Sequence, residues 1–299
     1  LSQTDFSLFS HAVARYLRLV IPLLAALSFT VAVTALVRPY FDHPSLSEAP
    51  TPLNVMAHIL LLQDLVSLQA FSAGVWYVAI DFQLYLMALI CAAVAHRWQT
   101  LSQQGSVFRK VLGMWMALTL SSLFVWNLNT SNEVWGIYFY CAYGLGLCVG
   151  SWRSSGFNIN YRILALLILL VGGLAWVYEP RIRLAVALAV AILLALYEAI
   201  DCRPLPRMKG AWLQSLSNSS YAIFLIHFGV SLLVSAVVFS NWPDSLHANV
   251  TGMITSVVLS LLIRTCLHQL VEKRLLSWQR WLQWVAAFAA TCSAVMLLT

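Results

Sequence analysis

GVWYVAIDFQLYLMALICAAVAH, residues 74–96, is an apolar run long enough to cross a membrane as one helix. The hydrocarbon core of a bilayer is about 30 Å thick, which takes about 20 apolar residues in an α-helix. The run nevertheless contains Asp81 and Gln83. A charged side chain at the centre of a membrane helix costs roughly 2.5–3.5 kcal/mol on insertion scales. The stretch therefore predicts a transmembrane helix with one face turned towards the inside of a bundle.

The composition extends this prediction to the whole chain. Of its 299 residues, 61% are hydrophobic and 9% are charged, whereas about 25% of the residues in soluble domains are charged. So few charges cannot keep a soluble surface hydrated. The apolar runs are also longer than the alternating segments of a membrane β-barrel. We predict an all-α fold, a polytopic transmembrane helix bundle that forms a single integral-membrane domain over residues 1–299.

Nine segments have the length and apolar character of membrane spans. They are residues 17–37, 75–95, 109–127, 133–151, 162–178, 181–199, 217–240, 248–271 and 281–299. A further apolar stretch, 52–71, is interrupted by Asn54, His58, Gln63 and Asp64. We predict that this stretch is an interfacial or re-entrant segment rather than a tenth span.

The basic residues determine the predicted orientation. With nine spans, 13 of the 17 Lys and Arg residues fall on the side of residues 1–16, three fall on the opposite side, and Arg264 lies within a span. Loops rich in Lys and Arg stay in the cytoplasm, so residue 1 is predicted to be cytoplasmic. The 13 residues are Arg15, Arg18, Arg97, Arg109, Lys110, Arg153, Arg162, Arg203, Arg207, Lys209, Lys273, Arg274 and Arg280.

The six cysteines, which include Cys202, form no CxxC pair and no cluster with histidine. No metal site is therefore expected. The sequence also has no Gly-rich phosphate loop, no GxSxG, no HExxH and no Walker lysine, so ATP-driven work is not expected.

Asp81 shares one stripe of its helix with Tyr77 and Tyr85, because the three residues are spaced i, i+4 and i+8. Gln83 lies about 200° around the helix from Asp81 and is expected to make a different contact. Two interpretations of Asp81 stay open. It is either a structural residue paired with a basic side chain of another span, or part of a buried site, since ionisable residues inside membranes are commonly functional.

The segment SLSNSSYAIFLIHFGV, residues 215–230, begins with a serine-rich cluster over 217–220 that is typical of a helix N-cap. Ser220, Phe224, His227 and Ser231 then follow one another along a single stripe, which places His227 about 10 Å into the span. A lone histidine in a helix is more often a structural hydrogen-bonding residue than a catalyst. The sequence alone leaves its role open.

The segment IRTCLHQLVEKRLLSW, residues 263–278, carries Arg264, His268 and Glu272 at i, i+4 and i+8. This stripe is either a ladder of charges that satisfy one another and reach the interface, or the wall of an inward-facing pocket.

The segment ARYLRLVIP, residues 14–22, carries Arg15 and Arg18 just before an apolar span. The two arginines either anchor the span on the cytoplasmic side or bind phosphate groups at the membrane surface through charge-assisted hydrogen bonds. The spacing alone favours the anchor.

Taken in order, these segments resemble the membrane-bound acyltransferase-3 family. ARYLRLVIP is similar to the family's basic, proline-ended entry to its third span. GVWYVAIDFQLYL, which includes Trp76, resembles its pattern of Trp, acidic residue, Gln, aromatic residue and Leu. LSNSSYAIFLIHFGV, which includes Tyr221, is similar to its penultimate span, and LHQLVEKRLL resembles its closing segment. The resemblance runs from residue 14 to residue 275.

The resemblance also shows departures. The family's first two spans, which carry an Arg and a His usually taken as catalytic, have no counterpart in this sequence. We therefore expect an N-terminal truncation, with the general base upstream of Leu1 and the catalytic residue unknown within the chain. Asp81 stands where Glu is commoner, Leu275 replaces the closing proline, and the span 281–299 is additional.

The resemblance implies an integral-membrane acyltransferase of the bacterial inner membrane. It would move an acyl group, most simply acetyl, from cytoplasmic acyl-CoA as co-substrate to a hydroxyl of a cell-surface or lipid-linked carbohydrate, with no bound cofactor. Arg15 and Arg18 would bind the CoA phosphates, and Glu272 would pair with one of them. The residues expected to line the cavity are Trp76, Tyr77, Asp81, Gln83, Tyr85, Ser220, Tyr221, His227, Arg264, His268 and Glu272.

Two other functions stay open. A transporter or flippase for a lipid-linked or polar substrate would use Asp81, Arg264 and His268 as a path through the membrane, although no internal repeat supports it. A non-catalytic member that retains only the fold would also be compatible with the sequence.

Overall fold

The computed structural model describes residues 7–40, 43–102, 106–152, 160–199, 210–274 and 276–298. These residues form eleven α-helices and no strand, which confirms the predicted all-α fold. The helices are α1 (Leu8–Val37), α2 (Pro52–Ile59), α3 (Val75–Ser102), α4 (Val107–Phe124), α5 (Gly136–Ser151), α6 (Tyr161–Tyr178), α7 (Ile182–Ala199), α8 (Ala211–Asn218), α9 (Ser220–Asn241), α10 (Leu246–Leu267) and α11 (Trp278–Leu298). Seven residues named above lie outside the described ranges: Leu1, Arg153, Cys202, Arg203, Arg207, Lys209 and Leu275.

Eight of the described helical segments are long and apolar enough to cross a membrane, and each matches a predicted span. The predicted span over 133–151 instead forms α5, an apolar helix of 16 residues that is about 24 Å long. It begins only at Gly136, because a 3₁₀ turn over Thr130–Asn132 and the side-chain contacts of Glu133 occupy the chain before it. The stretch 52–71 contains only the eight-residue helix α2, so it is not a tenth span.

The contacts divide the chain into two compact units. The first unit consists of Leu1–Ala12 and Ile80–Met208, and the second consists of Val13–Ala79 and Lys209–Thr299.

Close helix packing through small residues holds the first unit together. Helix α4 packs on α5, α6 packs on α7, and α5 also contacts α7. A Cβ atom built on Gly144 would lie 2.0 Å from Oγ1 of Thr119, so these two helices approach closely. Membrane helices associate through such small residues because lipid provides no hydrophobic drive between them. The shared core of these helices includes Leu112, Leu145 and Leu188.

The amide side chain of Gln83 holds the start of α5. Its Oε1 accepts a hydrogen bond from the backbone N–H of Gly136 at 2.7 Å, and its Nε2 donates to the carbonyl of Val134 at 3.4 Å. The first turn of a helix has unsatisfied N–H groups, and the residue before Gly136 provides no side-chain cap. Gln83 therefore supplies the cap from another helix.

Helix α1 is the most deeply buried helix of the second unit. In its apolar 18-residue window 67% of the residues are buried, against 17% in α11. Two tyrosine hydroxyls attach it to its neighbours: Tyr16 donates to the carbonyl of Ile59 at 2.6 Å, and Tyr221 on α9 donates to the carbonyl of Leu19 at 2.9 Å. Helices α9 and α10 pack side by side in the same unit.

The polar residues that interrupt 52–71 close a compact loop. Nδ1 of His58 donates to the carbonyl of Asn54 at 2.8 Å, and Nε2 accepts from the backbone N–H of Phe71 at 3.1 Å. The carbonyl can only accept and the amide can only donate, so the imidazole is neutral with its proton on Nδ1. The ring of Phe71 stacks on His58 at 4.3 Å and meets Phe288 of α11 edge-on at 6.1 Å. The loop is thereby fastened to the helices of its unit.

Candidate functional site

The start of α3 packs directly against α9 in the second unit. The ring of Tyr77 meets the ring of Phe224 edge-on, with centroids 5.4 Å apart, and Trp76 lies 6.0 Å from Tyr77. A Cβ atom on Gly74 would lie 2.9 Å from Cζ of Phe224. The glycine therefore allows the phenyl ring to approach the backbone. Two segments that are distant in sequence, 74–77 and 220–231, are thus neighbours in space.

His227 is oriented by its own helix. Its Nδ1 lies 2.6 Å from the carbonyl oxygen of Phe224, and because a carbonyl only accepts, Nδ1 carries the proton. In the neutral imidazole the other nitrogen, Nε2, is then a hydrogen-bond acceptor. The side chain lines a cavity of the second unit. His227 consequently offers a lone pair to whatever occupies that cavity.

This cavity, the α9–α10 groove, has a volume of about 650 Å³ and lies between α9 and α10. Its lining extends along α9 from Ile223 to Phe239, a distance of about 24 Å at 1.5 Å per residue. Apolar and polar side chains contribute equally to its lining. A groove of this length spans most of the depth of a bilayer's hydrocarbon core.

A polar seam runs along the α9–α10 groove. On α10 the buried hydroxyls of Ser256 and Ser260 donate to backbone carbonyls of their own helix at 3.0 and 2.7 Å. On α9 His227, Ser231 and Ser235 follow one another at every fourth residue and also line the groove. From the sequence, only the stripe through His227 on α9 was recognisable. The spacing of residues within one helix does not indicate which helix packs opposite it.

The basic entry to α1 lies where this helix meets α2. Arg15 is half-buried and Arg18 is exposed, so the two arginines are in different environments. Between them Tyr16 bonds the end of α2. Pro22 lies inside the helix and removes the backbone donor that would pair with the carbonyl of residue 18.

The serines before α9 do not act as the predicted side-chain cap. Ser219 is the N-cap residue, but its hydroxyl makes no capping bond. It donates to the carbonyl of Ser215 at 2.7 Å and accepts a hydrogen bond from Nη1 of Arg264, which also donates to the carbonyl of Ser215 at 3.2 Å. Arg264 therefore joins α10 to the junction of α8 and α9, and the capping prediction was wrong because the α8 turn uses this hydroxyl.

The remaining members of the 263–278 stripe pair within their own helix. Nδ1 of His268 donates to Oε2 of Glu272 at 2.5 Å, in a π-helical turn over His268–Glu272. Turns of this kind occur frequently at functional sites. The ladder predicted from sequence thus holds for His268 and Glu272, while Arg264 reaches another helix. The pairing of Glu272 with Arg15 or Arg18 stays a prediction.

Asp81 and Tyr85 belong to the first unit and are half-buried on α3. Helix α3 is continuous from Val75 to Ser102, so the spacing of Tyr77, Asp81 and Tyr85 on one stripe is preserved. Their roles in a substrate cavity stay predictions, as do those of Ser220 and Tyr221.

A cluster of two arginines was not anticipated from the sequence. Arg181 donates from Nη2 to the carbonyl of Leu128 at 2.8 Å and from Nη1 to Asn127 at 3.3 Å and to the hydroxyl of Tyr138. Arg183 donates to the same hydroxyl at 2.9 Å and to Glu133 at 2.7 Å. This cluster fastens the turns before α5 to the start of α7.

Glu133 shows the electrostatic effect of this cluster. The hydrogen bond from Arg183 lowers the pKa of its carboxyl below the usual range. The sequence contained one signal for this cluster. Arg181 and Arg183 lie close together on the side of the membrane that is predicted to carry only one other basic residue, Arg38. Among the described residues, no group of three or more His, Cys, Asp or Glu side chains could hold a metal ion.

The fold defines a multi-pass α-helical membrane protein with a polar seam between α9 and α10. The sequence model of a known family, described as an acyltransferase domain, matches residues 2–299. The chain therefore belongs to the acyltransferase-3 family and is a membrane acyltransferase by family. No curated protein and no solved structure matches the chain.

Proposed function

We propose that the protein transfers an acyl group, most simply acetyl, from cytoplasmic acyl-CoA to a hydroxyl of a cell-surface or lipid-linked carbohydrate in the bacterial inner membrane. The observation that carries this proposal is the family match over residues 2–299. The donor, the acceptor and the membrane are expectations that follow from the resemblance and from the distribution of the basic residues.

The reaction defines what a site must provide. A hydroxyl oxygen of the acceptor attacks the thioester carbonyl while a base takes the alcohol proton, and a C–O bond forms. The C–S bond then breaks, and the base returns this proton to the sulfur, so that CoA departs as the thiol. A base must take up the proton, and donors must stabilise the oxyanion. The base is not assigned within this chain. His227 is oriented by a backbone carbonyl of its own helix, and we do not assign it as the base.

Residues of the chain fit binding roles around this chemistry. Arg15 and Arg18 bind phosphate groups of CoA, because guanidinium groups form bidentate bonds with phosphate oxygens. Asp81, on one stripe with Tyr77 and Tyr85, orients the hydroxyl acceptor. The α9–α10 groove offers an apolar wall for the acyl group, and the lone pair of His227 accepts a bond from the substrate.

The test is incorporation of radiolabelled acetyl from acetyl-CoA into the lipid and polysaccharide fractions of membranes that contain the gene's product. Asp81→Asn removes the charge but keeps the shape, and we expect it to abolish incorporation while the protein still inserts and accumulates. Asp244→Asn is the matched control, since Asp244 is exposed in the turn between α9 and α10. Full activity of Asp81→Asn would remove Asp81 from the site, and no CoA-dependent incorporation by the wild type would refute the function.

The length of the α9–α10 groove favours transport as a second candidate function. A path with polar groups along most of the bilayer depth is also what a transporter requires. Uptake of a substrate by reconstituted vesicles without any dependence on CoA would support transport over acyl transfer.

A further inference from the structure

A second cavity, the α8–α10 pocket, lies in the second unit where α8 and the start of α9 meet the end of α10. Its volume is about 260 Å³. In contrast to the α9–α10 groove, all of its lining side chains are polar. They include Gln214, Asn218, Ser219, His268, Gln269 and Lys273.

The lining of the α8–α10 pocket is rich in donors and contains no acidic side chain among the described residues. Lys273 is exposed. Its backbone N–H donates to the carbonyl of His268 at 2.9 Å, while its ammonium makes no ion pair or hydrogen bond with another described residue. His268 keeps its Nδ1 on Glu272. The guanidinium of Arg264 lies behind the wall, bonded to Ser219. Ammonium, amide and hydroxyl groups together suit a phosphate, whose oxygens only accept.

Apolar side chains surround this polar pocket. Trp212 on α8 is 68% exposed, and Leu262 on α10 and Leu270 in the π-helical turn are each 60% exposed. The pocket also lies at the end of the span Leu246–Glu272, on the side that the basic residues predict to be cytoplasmic. Basic pockets between membrane helices on that side bind the head groups of anionic lipids.

We propose that the α8–α10 pocket binds the phosphate of an anionic phospholipid head group, with the lipid chains against the exposed apolar side chains around it. The proposal is independent of acyl transfer and rests on the polar lining and the apolar surround. The phosphates of CoA share this chemistry, but CoA has no acyl chains to cover Trp212 and Leu270. A phospholipid would therefore contact the exposed apolar side chains as well as the pocket, whereas CoA would contact only the pocket.

The test is a lipid titration of the purified protein in a neutral detergent, followed by native mass spectrometry and by thermal unfolding. The probes are dioctanoyl phosphatidylglycerol, dioctanoyl phosphatidylcholine, CoA and inorganic phosphate. We expect phosphatidylglycerol to bind and to raise the unfolding temperature more than phosphatidylcholine. Lys273→Gln should weaken phosphatidylglycerol binding about fivefold, the effect of one basic residue near an anionic lipid surface.

Lys110→Gln is the matched control, because Lys110 lies on α4 beside Trp98, in the first unit and outside the pocket. It should bind phosphatidylglycerol like the wild type. Lys273 is exposed, so its variant should unfold at the wild-type temperature when no lipid is present. Equal binding of phosphatidylcholine and phosphatidylglycerol, or equal losses in Lys273→Gln and Lys110→Gln, would overturn the proposal. A loss in Lys273→Gln confined to CoA or inorganic phosphate would overturn the lipid as the source of the phosphate.

Discussion

The hydroxyl of Tyr221 donates a hydrogen bond to the backbone carbonyl of Leu19 at 2.9 Å. The two residues lie 202 positions apart, and the bond joins α9 to α1. It falls three residues before Pro22, in a turn where the proline has already removed one backbone donor. The basic segment 14–22 and the Ser-Tyr motif at the start of α9 are far apart in the sequence. They nevertheless meet in one contact between two helices.

Tyr221→Phe should destabilise this contact. The substitution keeps the ring and removes one hydrogen bond, so we expect a loss of about 1 kcal/mol in the free energy of unfolding. Thermal unfolding in detergent measures it. Tyr178→Phe is the matched control, because Tyr178 is 71% exposed at the end of α6. Equal unfolding temperatures for the two variants would mean that the Tyr221 hydroxyl contributes nothing.

Gly136→Ala should destabilise the protein although alanine is the better helix former. A Cβ atom at Gly136 would lie 2.8 Å from Cβ of Gln83 and 3.3 Å from the backbone nitrogen of Leu84, and a backbone cannot move aside as a side-chain tip can. We expect a loss of about 1–3 kcal/mol, as for other overpacked sites. The control within the same helix is Gly146→Ala, where nothing lies within 4 Å. Gly146→Ala should leave the free energy of unfolding unchanged or raise it. A larger loss of stability in Gly146→Ala than in Gly136→Ala would contradict the close packing at Gly136.

The loop 52–71 should open in acid. Burial lowers the pKa of His58 from 6.5 to about 4, so the opened loop binds a proton more readily than the closed loop does. The closed loop is therefore fully stable above pH 6.5, loses stability as the pH falls, and has lost roughly 3 kcal/mol below pH 4. Hydrogen exchange of the backbone amide of Phe71, measured between pH 7 and 4, reports the opening.

Two variants separate His58 from other titrating groups. His247→Gln, at an exposed position in the first turn of α10, should keep the pH dependence of the exchange. His58→Gln should remove the dependence and leave the loop less protected at every pH. Retention of the same pH dependence in His58→Gln would assign it to another group.

The two arginines of the first unit should differ in their contribution to stability. The side chain of Arg181 is 14% exposed and that of Arg183 is 56% exposed. Arg181→Ala should cost about 2–4 kcal/mol, because it leaves the buried partners of the guanidinium unsatisfied. Arg183→Ala should cost at most about 1 kcal/mol, as is usual for an exposed ion pair. Thermal unfolding of both variants compares the two losses of stability. Equal shifts in unfolding temperature would contradict the expectation that the more buried arginine contributes more.

Several features of the fold and of the candidate site follow from the sequence. Composition and run length predicted the helix bundle, and eight of the nine predicted spans are helices long enough to cross a membrane. The helical spacing placed His227 on a stripe with Ser231, and both line the α9–α10 groove. The predictions for the serines before α9 and for the full length of the 133–151 span failed, because side chains from distant segments compete for the same backbone groups.

The sequence by itself determined the long apolar helices and the residue types on each stripe, since the transfer of apolar groups into lipid and the period of the helix depend only on local order. Only the tertiary structure decided which stripes meet. It placed Phe224 against Gly74, Gln83 at the start of α5, and Arg264 behind the wall of the α8–α10 pocket. Contacts between helices depend on close packing and on hydrogen bonds between residues far apart in the chain, and no spacing within one helix records its partner.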